Sequence, residues 1–193
     1  MALKALKSLI TMNKINYSQI YTKLIKGLTP KTKDIFDRRF GVKTGKVETL
    51  ESIGKSLGIT RERVRQIEEV GFNYVRKNHK DALAQVHKEF EAYFSQMGGF
   101  RKEEVVLSDL GGAKNKSHVL FFLTIGEQFN RVCEKKDYFY FWSTMPNPET
   151  NVKETLGALA SDLKTHGSPL SKDELFAKFA SNHNLTNEAL NSY

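Results

Sequence analysis

The sequence holds one cysteine, Cys133, among 193 residues, so it forms no internal disulfide, and no Cys/His cluster stands at zinc-ligand spacing. No apolar run approaches the roughly 18 residues that a membrane span requires. The opening MALKALKSLITMNK has neither a long apolar core nor a small-residue cleavage site, and with the lone thiol it predicts a cytosolic chain. Side chains in catalytic arrangements are equally scarce. His79, His87, His118, His166 and His183 fall at no spacing that repeats a ligand or base–nucleophile pair, and the acids form no paired constellation. GGAKNKS at 111–117 has Asn115 where a phosphate loop needs glycine, and no apolar strand precedes it. Cys133, next to Val132, reads as a buried or half-buried structural thiol in an amphipathic helix. These absences predict a protein that is not an enzyme and takes no cofactor and no metal.

What is present is charge, unevenly placed. The chain is 39% hydrophobic and 27% charged, a globular composition with length for one large domain or two to three small ones. Residues 1–80 hold 18 Lys and Arg against 7 Asp and Glu, a net +11, while residues 81–193 hold 12 against 15, a net −3. A basic half joined to a mildly acidic half predicts that the first meets a polyanion and the second has another task. A lysine-rich solubilising surface is the plainer alternative.

The basic half punctuates itself clearly. Residues 3–12 and 17–26 read as short amphipathic helices, the second with Tyr17, Ile20, Leu24 and Leu28 at helical spacing. In GLTPKTKDIFDRRFG, Thr29 caps a helix, Pro30 opens it and Gly41 ends it. After the loop VKTGKVE, the stretch TLESIGKSLG places Leu50, Ile53, Gly54 and Leu57 on one face and stops at Gly58. Thr60 then caps a further helix with Glu62 in its first turn. Two short helices joined by a tight Gly-containing turn predict a helix-turn-helix, with Gly54 allowing a close crossing.

At roughly 100° per residue, Val64, Ile67 and Gly71 form a narrow inward stripe on the second helix. Arg61, Glu62, Arg65, Gln66 and Glu69 lie opposite, flanked by Arg63 and Glu68. Guanidinium and amide groups are the side chains that bond bidentately to guanine and adenine edges. Solvated i, i+4 pairing explains the face poorly, because Arg61 and Arg65 repel each other and Arg61 sits at the positive helix end.

The stretch LTPKTKDIFDRRFGVKTGKVETLESIGKSLGITRERVRQIE, residues 28–68, closely resembles the C-terminal DNA-binding domain, region four, of bacterial primary sigma factors. Arg39-Phe40-Gly41, Thr49-Leu50, Ile53-Gly54 and Thr60 through Glu68 carry the match. The resemblance implies that the helix over 60–76 enters the major groove of a promoter-like element. It implies base contacts from Arg61, Glu62, Arg65 and Gln66, with Glu62 accepting from cytosine. Phosphate contacts are implied for Arg39, Thr49, the Leu50 backbone and Arg63, with Lys46 as a further phosphate residue. After Glu68 the chain departs from the family, with Val70 where a lysine is usual. Nothing before residue 28 resembles the other sigma regions, so the resemblance implies a region-four-like transcription regulator of the bacterial cytosol and nucleoid rather than a sigma factor.

Beyond residue 78, HKDALAQVHKEFEAYFSQMGG reads as a connecting helix, RKEEVVLSDLGG and SHVLFFLTIGEQFNRVCEK as two more, and DYFYFWS as a strand. Tyr138, Tyr140 and Trp142 alternate onto one strand face, which favours packing over base stacking. MPNPETN is the clearest linker. Helices are expected near 152–165, 171–182 and from 186 onward. This last segment weakly resembles the opening of the HARE-type winged helix of the polymerase delta subunit, and the absence of its completing strands reads as a truncated module.

The expected fold class is mainly α: a sigma-region-four-like helix-turn-helix bundle followed by small helical or winged-helix-like modules with minor β. The expected segments are 1–27, N-terminal helices packing on the helix-turn-helix; 28–97, the DNA-binding domain with its connecting helix; 98–145, a winged-helix-like module; 146–151, a linker; and 152–193, the partial winged helix. Two functions fit. In one, the chain reads double-stranded DNA sequence-specifically; in the other, it is an adaptor that docks on RNA polymerase or a regulator with little DNA affinity. A lone module of this kind binds DNA weakly, so RNA polymerase subunits or a second copy forming a homodimer are the further partners considered. No membrane partner is expected.

Overall fold

The structure, a computed structural model, describes residues 15–136 and 138–183. The helices expected over 3–12 and from 186 onward lie outside the described residues. The fold is mainly α with a small sheet. In chain order the elements are α1 (Tyr17–Ile25), α2 (Pro30–Phe40), α3 (Leu50–Leu57), α4 (Arg61–Asn78), α5 (Lys80–Gln96), β1 (Phe100–Lys102), α6 (Glu103–Gly111), α7 (Lys116–Ile125), β2 (Asn130–Val132), β3 (Phe141–Ser143), α8 (Pro148–His166) and α9 (Lys172–His183). No helix among the described residues is long and apolar enough to cross a membrane.

Two compact units divide the chain: Met1–Glu89 with Leu107–Gly126, and Phe90–Val106 with Glu127–Tyr193. The divisions fall inside α5, inside α6 and between α7 and β2, so the segment expected as one module over 98–145 contributes to both units.

In the first unit, the expected start residues Thr29 and Thr60 and the expected stops Gly41 and Gly58 act as such, and Thr49 is a further cap, at the start of α3. Thr29, Thr49 and Thr60 each accept a hydrogen bond through Oγ1 from the backbone N–H three residues on, satisfying a donor that the helix leaves open. Gly41 and Gly58 end α2 and α3 at φ 68° and 65°, a left-handed conformation that costs glycine little. Ile35, Ile53 and Val64, one each from α2, α3 and α4, meet in a fully buried cluster.

A second part of this core is aromatic, and α7 supplies its centre. Phe121 lies with its ring centroid 4.9 Å from Tyr21, 5.3 Å from Phe40, 5.6 Å from Phe36 and 6.1 Å from Phe72, within the range where edge and offset ring contacts are favourable. His118 packs edge-on against Tyr21 at 5.5 Å, and Ser117 Oγ donates to the Gly41 carbonyl at 3.0 Å. α7 is buried around most of its circumference, which explains its apolar run VLFFLTI.

In the second unit, β1, β3 and β2 form an antiparallel sheet in that order, pairing Arg101 and Arg131 with Trp142. Phe100, Tyr138, Phe141 and Val152 form its core. Four sequence expectations change here. SHVLFFLTIGEQFNRVCEK is helical only to Ile125, and its later residues form β2, because pairing with β3 satisfies their backbone. Cys133 consequently lies outside any helix and is exposed. The expected aromatic stripe is not one face: Trp142 and Tyr138 are buried while Tyr140 is exposed, with the strand itself only three residues long. α8 begins at Pro148, within the stretch read as a linker.

Candidate nucleic-acid interface

α3 and α4 are joined by Gly58, Ile59 and Thr60, and the crossing is tight at Gly54. A Cβ there would lie 2.7 Å from the Ile59 carbonyl oxygen and 3.3 Å from the Arg61 nitrogen. Farther along α4, a Cβ on Gly71 would come within 2.7 Å of the Phe36 ring and of the Thr32 methyl. Val64 is fully buried, Gly71 is buried and Ile67 is partly buried, as the helical spacing predicts. Arg61, Glu62, Arg63, Arg65, Gln66 and Glu69 are exposed, whereas Glu68 turns inward, its side chain 13% exposed.

Several of the exposed groups are already paired along the helix. Arg65 Nη2 donates to Glu62 Oε1 at 2.8 Å and its Nε to Oε2 at 3.0 Å. Arg63 Nη1 donates to Gln66 Oε1 at 3.1 Å. The hydrogen bond from Arg65 holds the Glu62 carboxyl below the usual range, so Glu62 is an ionised acceptor near neutrality. Glu51, Lys55, Ile59, Thr60, Arg61, Glu62 and Arg65 line an open groove at the start of α4.

The residues assigned to phosphates are in unlike states. Lys46 is exposed in the loop before α3. Thr49 is occupied as the α3 cap, and Leu50 opens that helix, where the backbone dipoles favour an anion. Arg39 is held back: its Nη1 donates to the Glu48 carbonyl at 3.3 Å, and its Nε, which lacks a hydrogen-bond partner, lies 3.5 Å from Glu68 Oε1. Burial pushes the Glu68 carboxyl above its ordinary range, with Arg39 opposing that rise.

Two neighbours of this surface escaped the sequence reading. Arg38 donates through Nε and Nη2 to the two Glu48 carboxylate oxygens at 2.9 and 2.8 Å, a bidentate, charge-assisted arrangement. Its Nη1 reaches Ser56 Oγ at 3.2 Å, at the far end of α3. The available signal was an arginine pair closing α2 opposite a glutamate just before the Thr49 cap. Among the described residues, no group of three or more His, Cys, Asp or Glu stands close enough to hold a metal ion.

Two capped helices crossing at a glycine, with arginine and glutamine on the exposed face of the second, define a helix-turn-helix. The comparisons with known proteins name its kind. The family model described as Sigma-70, region 4 matches residues 24–85, and that segment is a sigma-70 region 4 helix-turn-helix, a DNA-binding, transcription-related class of module. The RNA polymerase sigma factor SigA of Nostoc sp. is 34% identical over 61 residues, which cover 32% of this chain and 16% of that protein. RNA polymerase sigma factor SigA of Clostridium acetobutylicum is 46% identical over 46 residues, covering 24% and 12%. RNA polymerase sigma factor sigB of Arabidopsis thaliana is 41% identical over 61 residues, covering 30% and 11%. The chain thus matches less than a fifth of the length of each of these relatives. No solved structure matches it.

Proposed function

We propose that this protein binds double-stranded DNA sequence-specifically and regulates transcription, reading a promoter-like element with the N-terminal part of α4. The observation that carries the reading is the sorting of α4: Val64 and Gly71 face the fold while Arg61, Glu62, Arg65 and Gln66 stand exposed at the helix start. Laid in a major groove, such a helix turns its first exposed residues toward base edges. Arg65 donates to guanine, Gln66 bonds adenine, and Glu62 accepts from cytosine N4. The pairs Arg65–Glu62 and Arg63–Gln66 re-form with bases and phosphates on binding.

Lys46, Arg63 and the first turn of α3 at Thr49 and Leu50 hold the phosphates on this reading, with Arg39 as a nearby cation. RNA polymerase subunits or a second copy of the chain supply the affinity that one small module lacks. Selection of bound duplexes from a random library tests the function directly. Enrichment of a defined motif, with affinity for it falling steeply with salt, is the expected result. Recovery of unselected sequence at every salt concentration, together with capture of RNA polymerase, would instead establish the adaptor function.

A further inference from the structure

We infer that Glu48, which offers DNA only a repelling carboxylate, is a positioning residue that sets how α3 and α4 are presented and thereby governs selectivity for sequence rather than affinity for duplex. The inference rests on the DNA-binding reading above.

Glu48 stands two residues before α3 and directs its polar groups to two helices, reaching a third through Arg39. Its carboxylate accepts Arg38 Nε and Nη2 from the end of α2 and Ser52 Oγ, at 3.2 Å, from the first turn of α3. Its backbone N–H donates to the Arg38 carbonyl at 3.0 Å. Its own carbonyl accepts Arg39 Nη1, and Arg39 continues to Glu68 on α4. Arg38 meanwhile reaches Ser56 in the last turn of α3. One side chain thus fixes the end of α2 against both ends of α3, and its backbone links the same junction to α4.

The electrostatic consequence opposes the mechanical one. A carboxylate beside a phosphate-facing surface weakens attraction to any duplex, and by holding Arg38 it withdraws a guanidinium from phosphates. Attraction to phosphates acts over roughly 8–10 Å and tolerates misalignment, whereas base readout needs donors held to about 0.5 Å. Removing the charge therefore moves the two quantities in opposite directions.

The test is Glu48→Gln in the full chain, with Glu48→Asp as the conservative control. Binding is measured to the selected duplex and to a scrambled one across a salt series. The glutamine variant keeps the backbone bonds to Arg38 and Arg39. The expected result is a two- to threefold tighter complex with scrambled duplex, with a salt slope steeper by about 1 as one more phosphate is engaged. Discrimination between the two duplexes falls by about tenfold, the worth of roughly one base contact. Glu48→Asp keeps the charge and recovers most of the discrimination.

Equal tightening on both duplexes, leaving discrimination intact, would overturn the inference, since Glu48 would then act through charge alone. Equal weakening, with a fall in melting temperature, would also overturn it, since the role would be fold stability. A wild-type protein that binds no duplex would remove the functional reading itself, and that result is visible before any variant is made.

Discussion

Gly54 approaches the Ile59 carbonyl so closely that a Cβ on Gly54 would sit 2.7 Å from that oxygen. The clash is with backbone, which cannot rotate away. Gly54→Ala is therefore expected to destabilise the fold by about 1–3 kcal/mol by overpacking, despite alanine's better helix propensity. Urea denaturation measures the loss. Because the shift falls at the start of α4, discrimination between duplexes should fall too; unchanged stability would show that the crossing has slack.

Phe121 is fully buried among Tyr21, Phe36, Phe40 and Phe72, although it lies well beyond the segment matched by the family model. Phe121→Ala should cost about 3–5 kcal/mol, the range for removing a buried aromatic ring. Amide exchange in α2 and α4 should accelerate. A loss confined to α7, with α2 and α4 unaffected, would mean that the helix-turn-helix does not depend on this ring.

Arg65→Ala should weaken binding to the selected duplex by about 1–3 kcal/mol and relax preference at one position. Lys46→Ala should weaken all duplexes alike and lower the salt slope by about 1. Fluorescence anisotropy on matched and mismatched duplexes separates the two patterns. Duplex binding that neither change alters would favour the adaptor function.

Glu68 supplies a pH test. Burial raises its carboxyl pKa, with Arg39 acting against the rise, so the folded protein holds this proton more tightly than the unfolded chain does. The stabilisation linked to that proton is complete below the ordinary pKa of about 4.3 and is lost as pH rises through the higher folded value. Carbon-13 NMR of the Glu68 carboxyl should give a midpoint above that ordinary value. Glu68→Gln should gain stability relative to wild type as pH rises from 4 to 7; a gain that shrinks instead would reverse the sign of the shift.

How far these features could be read in advance depends on how local their causes are. Thr29 and Thr60, expected as caps, and Thr49, which the structure adds, each cap a helix through an N–H three residues away, so a short stretch of sequence contains the whole cause. The inward stripe of Val64 and Gly71 follows in the same way from the 3.6-residue period. Arg39 was less legible: its exposed-looking position after Arg38 gives no sign of Glu48 and Glu68 holding it, since one of those partners lies 29 residues farther on. Cys133 falls outside the expected helix because α7 already ends at Ile125, with Gly126 extended, although Phe129 and Val132 continue an apolar pattern, and the chain goes on as β2, Asn130–Val132, paired with β3.

The sequence by itself determined the helix-turn-helix, because caps, glycine stops and helical periodicity act over a few residues and agree with one another. It also determined which side chains of α4 face outward. Only the tertiary structure decided that Phe121 from α7 completes the aromatic core of that unit and that three-residue strands close a sheet in the other. It alone placed Arg38 and Arg39 under the control of Glu48. Those outcomes depend on groups far apart in the chain, whose pairing is selected by burial and by hydrogen-bond geometry that no local pattern encodes.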